Sequence, residues 1–202
     1  MNEVGGVVRT RPYRMTSRAE ATRETAIRVL DVAVELFTEK SFEDVSLDEV
    51  AGRAQVTKRT VLRRFDSKDG LFAAAMQHAA EEMVSQRGTA PVGDIAKAVA
   101  NLMDHYERWG TNRLRLLAQE ERITVVADHV EAGRRYHWSW VEQTFAPLIA
   151  GLEGDARRRR VAALVAVTDV YTWKLLRRDL ALSRANTERI VIELISKLAG
   201  AE

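Results

Sequence analysis

Apolar residues in this chain recur every three or four positions over long stretches, and nowhere do they alternate as a half-buried strand requires. Three prolines and eleven glycines in 202 residues leave that period almost uninterrupted, so an all-α fold is expected. The chain has no cysteine, which removes disulfides and thiolate metal sites and suits a cytoplasmic protein. No apolar run approaches the ~20 residues of a membrane span, so no membrane partner is expected. Without a cysteine, an HExxH pair or a glycine-rich phosphate loop, the chain is not expected to be an enzyme, nor to hold a cofactor or metal.

Charge is unevenly placed. Residues 1–18 carry Arg9, Arg11, Arg14 and Arg18 against Glu3. With no apolar period, they read as a disordered basic tail. Residues 19–51 are acidic. Residues 52–68 carry Arg53, Lys58, Arg59, Arg63, Arg64 and Lys68 against Asp66. That local excess, hidden by a net charge of only +2, points to a polyanion.

The first helix is expected to start at Ser17, boxed by Glu20, or at Thr22, with Ile27, Leu30, Ala33, Val34 and Phe37 on one face. It should stop near Lys40–Ser41. Ser46 and Glu49 form a capping box for a short second helix burying Leu47, Val50, Ala51 and Ala54. Gln55-Val56-Thr57 then breaks the chain, and Thr57 caps a third helix from Lys58 to Phe65. Two short helices joined by a three-residue turn make a helix-turn-helix. In the third helix Val61 and Phe65 face inward and the rest is largely basic. Arginine forks match guanine edges and phosphates, and Thr57, Thr60 and the helix N-terminal amides suit phosphate oxygens. Lys68 adds a cation at the start of a fourth helix capped by Ser67. A solvated basic face is the alternative reading of the charge run taken alone.

Thr22 to Phe72 resembles the N-terminal DNA-binding domain of TetR family regulators. The likeness is carried by Ala33-Val34-Glu35-Leu36-Phe37, Ser46-Leu47-Asp48-Glu49-Val50-Ala51, Ala54-Gln55-Val56-Thr57, Thr60-Val61-Leu62-Arg63-Arg64-Phe65 and Ser67-Lys68-Asp69-Gly70-Leu71-Phe72. It implies that Thr57, Lys58, Arg59, Thr60, Arg63, Arg64 and Lys68 touch DNA. Four positions depart from the family pattern. Ser41 and Gln55 stand where glycines are usual, which points to a positive φ at Ser41. Leu62 replaces a tyrosine, and Gly70 replaces an often acidic residue, weakening the start of the fourth helix.

Arg87 to Val92, with Gly88 and Pro91, reads as a joint. Beyond it come a stripe from Ile95 to Trp109, a shorter helix at Leu114–Ala118, and a longer one from Trp138 to Leu152 bent at Pro147. A further stripe runs from Val161 to Leu175, and Ser183 caps a final helix. Arg157 to Arg160 is read as beginning the helix of the Val161 stripe at a solvated loop edge, where the dipole disfavours cations. The resemblance implies a C-terminal helical domain for ligand binding and dimerisation, with about nine helices in all. The domains are then 1–18 tail, 19–70 helix-turn-helix and 71–202 ligand-binding and dimerisation. Tyr106, Trp109, Trp138, Phe145, Asp169 and Trp173 are candidate ligand contacts, the aromatics as walls and Asp169 as a carboxylate interrupting an apolar stretch. Each aromatic is also read as a core residue, and the partner of Asp169 as a ligand hydroxyl or amine, an arginine or water. His105, His129 and His137 are read as ordinary packing.

The partners expected are a double-stranded DNA operator, a small-molecule effector of unknown identity, and a second copy in a homodimer. The function expected is transcriptional repression released by that effector. The alternative is a helix-turn-helix DNA-binding protein with no small-molecule effector.

Overall fold

The computed structural model describes residues 13–200, and every regular element among them is helical. Residues 1–12, most of the expected tail, lie outside this range. The first helix, α1 (Tyr13–Glu39), begins earlier than either expected cap, so residues 13–18 are helical and Ser17 lies inside the helix. Its buried stripe is Ala26, Val29, Ala33, Leu36 and Phe37, whereas Ile27 is 41% exposed. Both stripes satisfy a 3.6-residue period. Packing against the fourth helix selects between them.

A single 3₁₀ turn (Phe42–Asp44) leads to α2 (Leu47–Arg53) and α3 (Lys58–Phe65). Ser46 accepts the amide of Glu49 at 3.1 Å, as a cap should. The Glu49 carboxylate instead pairs with Lys40 at 2.7 Å and Arg53 at 3.2 Å, so only half of the expected box forms. Ser41 is extended (φ −64°), and the positive φ falls on Gln55 (55°), in the turn itself. Phe37, Phe42 and Phe72 pack ring to ring at 5.1–5.7 Å and centre the head.

The long α4 (Lys68–Gly88) packs on α1 and α3 at one end and on α5 (Ile95–Leu117) and α6 (Thr124–Thr144) at the other. The stripe from Ile95 and the expected separate helix at Leu114 are one continuous α5. Gly110 does not break it, because Trp173 lies where a side chain would go: a Cβ would come within 2.7 Å of that ring. The expected helix from Trp138 to Leu152 is the end of α6 plus a single turn, α7 (Ala146–Ile149), which holds Pro147 in its first turn.

The stripe from Val161 to Leu175 is likewise divided, into α8 (Gly154–Val167) and α9 (Val170–Lys174), which runs on into a π-helical turn at Leu175–Asp179. Thr168 ends α8 by donating its hydroxyl back to Leu164 O at 2.6 Å, and Asp169 caps α9. The stretch Arg157 to Arg160 lies near the start of α8, and Arg157 reaches Glu142 of α6 at 2.8 Å. The last helix, α10 (Arg184–Gly200), packs on α5 and α8.

Candidate nucleic-acid interface and interior cavity

Local chemistry fixes α3. Thr57 accepts the amide of Thr60 at 3.2 Å, and the two hydroxyls lie 2.9 Å apart at the helix start. Val61 is buried and Phe65 half-buried, which anchors the helix from behind. Thr57, Lys58, Arg59, Arg63 and Arg64 are exposed, with Thr60 half-buried beside them. Among the described residues, no carboxylate lies within ion-pair distance of Arg59, Arg63 or Arg64. Lys58 is the exception on this face, pairing with Asp48 of α2 at 2.8 Å across exposed surface, a contact that water and salt weaken. Thr60, Arg63 and Arg64 also line a groove against α1.

Lys68 is arranged differently. Its ammonium donates to Glu43 O at 3.1 Å and lies 4.5 Å from the centre of the Phe42 ring. Partial burial lowers its pKa, against the pull of Asp44 and Asp69. Of the seven sequence-derived contacts, this one is turned back onto the protein.

The second feature is a cavity of about 1540 Å³ that runs between α4, α5 and α6 toward α1 and α9. Four of the six expected ligand contacts border it: Tyr106, Trp109, Trp138 and Asp169. Two do not. Phe145 is buried where α6 ends, edge-on to Trp140 at 5.7 Å. Trp173 is 1% exposed, wedged against Gly110 with its indole N–H 3.4 Å from Glu107. Both are core side chains. Asp169 faces the cavity, but its Oδ1 accepts the Tyr171 amide at 2.8 Å. Capping explains why an acid interrupts that apolar stretch.

The three histidines treated as packing in the sequence border the cavity as well. Burial, reinforced by Arg87 and Arg113, pushes His105 and His137 down to about 3. Burial and Arg113 push His129 down to about 4. All three are neutral near pH 7. Sequence reasoning missed Arg87 and Arg113 as cavity residues. The signal for Arg87 was present: it continues the α4 stripe Phe72, Met76, Met83 at the next four-residue step. Among the described residues no cluster of three or more His, Asp or Glu is placed to hold a metal ion, and no helix is long and apolar enough to cross a membrane.

The head and the cavity share contacts. Gln119, 3% exposed, accepts the Phe42 amide at 2.7 Å, and Arg115 donates to Thr38 O. His129 meets the Phe72 ring at 6.0 Å.

The profile of the bacterial regulatory proteins of the tetR family matches residues 29–75, which span α2, the turn, α3 and their packing partners. An uncharacterized HTH-type transcriptional regulator of Bacillus subtilis (strain 168), YdeS, is 28% identical over 106 residues. That match covers 52% of this chain and 48% of the relative, so the chain spans about half the length of the curated protein it matches. A tetR-family transcriptional regulator from Streptomyces coelicolor superposes with a TM-score of 0.66 at 19% identity, covering 88% of this chain and 80% of that one. The multidrug binding protein EbrR, solved with imidazole, gives 0.62 at 20% identity over 87% and 89% of the two chains. At such identities these likenesses concern the fold.

Proposed function

We propose, from the premise that the head of this chain is a TetR family DNA-binding domain, that the protein is a sequence-specific transcriptional regulator, a repressor released from its operator by a small molecule. The observation that carries the reading is the α3 surface. Arg59, Arg63 and Arg64 project from a capped, anchored helix and meet no carboxylate among the described residues. Such a rod fits a major groove, with Thr57 and Thr60 beside the phosphates and Arg63 or Arg64 at base edges. Lys58 joins them by exchanging Asp48 for phosphate. Lys68 contributes least, since reaching DNA costs it the Glu43 contact.

Two half-sites need two heads, and exposed apolar side chains outside the head are available for pairing. Tyr171, Leu175 and Leu180 are more than half exposed on and just after α9, and Leu194 is 39% exposed on α10. A second copy would cover them in a homodimer. The cavity supplies the effector site. It touches α4, which is built into the head, so a ligand preferring one position of α4 shifts the separation of the two α3 helices. A coupling of ~1–3 kcal/mol changes DNA affinity roughly 5–150-fold. A cytoplasmic location follows from the target.

The test is to select bound fragments from random double-stranded DNA with the purified protein, then repeat the binding with Arg63→Ala. A shared sequence, lost preferentially with Arg63→Ala, supports the reading. Equal weak binding to all fragments would defeat it.

A further inference from the structure

Arg87, one residue from the C-terminus of α4, is 2% exposed. Its guanidinium lies 3.8 Å from the centre of the Trp140 ring, and its Nη2 donates to His137 Nδ1 at 3.2 Å. That donation places the His137 proton on Nε2, which donates to the Thr168 hydroxyl at 3.2 Å, which in turn donates to Leu164 O. A full positive charge is therefore held by a chain of neutral groups. Its Nε is buried with no hydrogen-bond partner.

Arg113 of α5 adds a second cation to the same wall. It donates to Val130 O at 3.3 Å and lies flat on Gly133, where a Cβ would occupy its place. Among the described residues neither guanidinium has a carboxylate within ion-pair distance. The other acids along the cavity are placed elsewhere. Asp31, Glu35, Glu81, Glu82 and Asp128 are exposed at its rim, Asp31 paired with His78 and Glu82 with Arg108. Asp169 is the half-buried acid; it caps α9 and attracts Arg113 across the cavity without pairing with it, and it does not reach Arg87. The α4 carbonyl end offsets only part of the Arg87 charge, because a helix-end dipole is weaker than the cost of burying an unpaired ion. His105 Nδ1 and Asn112 Oδ1 are further buried, unpartnered atoms on the lining.

We infer that this cavity is built for an organic anion, whose carboxylate takes the free Nε edge of Arg87 and the face of Arg113 while its apolar body lies among Tyr106, Trp109, Tyr136 and Trp138. The inference rests on the effector reading and gives that effector a chemical class. The occupant supplies the counter-charge that Arg87 lacks. Because Arg87 belongs to α4, the anion's main contact is with the helix that carries the head. A cationic ligand is disfavoured by the buried Arg87 and half-buried Arg113 guanidinium groups, and a neutral one leaves Arg87 unpaired.

The experiment titrates the full chain by calorimetry with benzoate, naphthalene-2-carboxylate and dodecanoate, and with naphthalene-2-carboxamide and 2-naphthylmethylammonium as charge-altered counterparts. At least one carboxylate should bind and quench tryptophan fluorescence, and naphthalene-2-carboxylate should exceed its amide by about ten-fold or more. Arg87→Gln should abolish that preference and Arg87→Lys keep part of it. Arg113→Gln should reduce it and serves as the second variant if Arg87→Gln does not fold. The inference is overturned if no carboxylate binds, if the amide or ammonium binds as tightly, or if folded Arg87→Gln retains the preference. Each titration is repeated on the protein–DNA complex. Carboxylate binding that depends on Arg87 but leaves DNA bound would defeat the effector reading and spare the anion site. Release by the ammonium would do the reverse.

Discussion

Acidification should unfold this protein through its interior histidines before most carboxylates titrate. An unfolded imidazole titrates near 6.5, whereas the folded chain holds His105 and His137 at about 3 and His129 at about 4. The causes are burial first and the Arg87 and Arg113 charges second. The folded state thus refuses protons that the unfolded chain accepts. Their contribution is fully present above pH 6.5 and is lost as pH falls toward 4 and then 3. In that window each histidine costs about 1.4 kcal/mol per pH unit. At pH 5 this amounts to roughly 2 kcal/mol each and ~6 kcal/mol for the three, comparable with the whole stability of many domains. Glu49 and Glu107, whose pKa values are lowered by hydrogen bonds to Lys40 and Arg177 respectively, act in the same direction at lower pH and leave the upper window to the histidines. The assay is urea unfolding from pH 7.5 to 5, with calorimetric proton uptake measured in buffers of different ionisation enthalpy. Close to three protons should be taken up on unfolding at pH 5. A midpoint unchanged over that range, or uptake below about one proton, would refute the reasoning.

Three further outcomes are expected. Gln55→Gly should raise stability by about 1 kcal/mol, since Gln55 holds φ 55° in the turn between α2 and α3; a lower melting temperature would remove the strain argument. Gly70→Ala should destabilise by roughly 1–3 kcal/mol and weaken DNA binding, because its Cβ would collide with the Phe65 carbonyl and push α3 away from α4. Melting and gel-shift measurements check both effects, and an unchanged protein would mean the turn absorbs the methyl freely. Lys68→Ala should lower DNA affinity less than Arg63→Ala does, because Lys68 is held by Glu43 O and Phe42; a larger loss in equilibrium titrations would show that it swings out to the duplex.

The sequence by itself determined the reading head. The start of α2 at Ser46, the break at Gln55–Thr57 and the span of α3 from Lys58 to Phe65 all depend on residues within four positions of one another, where capping and period are decisive. Tertiary structure decided what needed distant partners. Period alone placed Ile27 on the core face of α1, and contact with α4 buried Val29 instead. Trp173 and Phe145 had the composition of pocket walls, but neighbours from other helices close over them. Asp169 was visible as an anomaly, and only the break between α8 and α9 made it a cap. Arg87 read as the start of a joint, since the groups that surround it, His137 and Trp140, lie about fifty residues along the chain. Periodicity is a property of one helix, whereas the environment of a buried charge depends on three helices meeting, and no local pattern records that meeting.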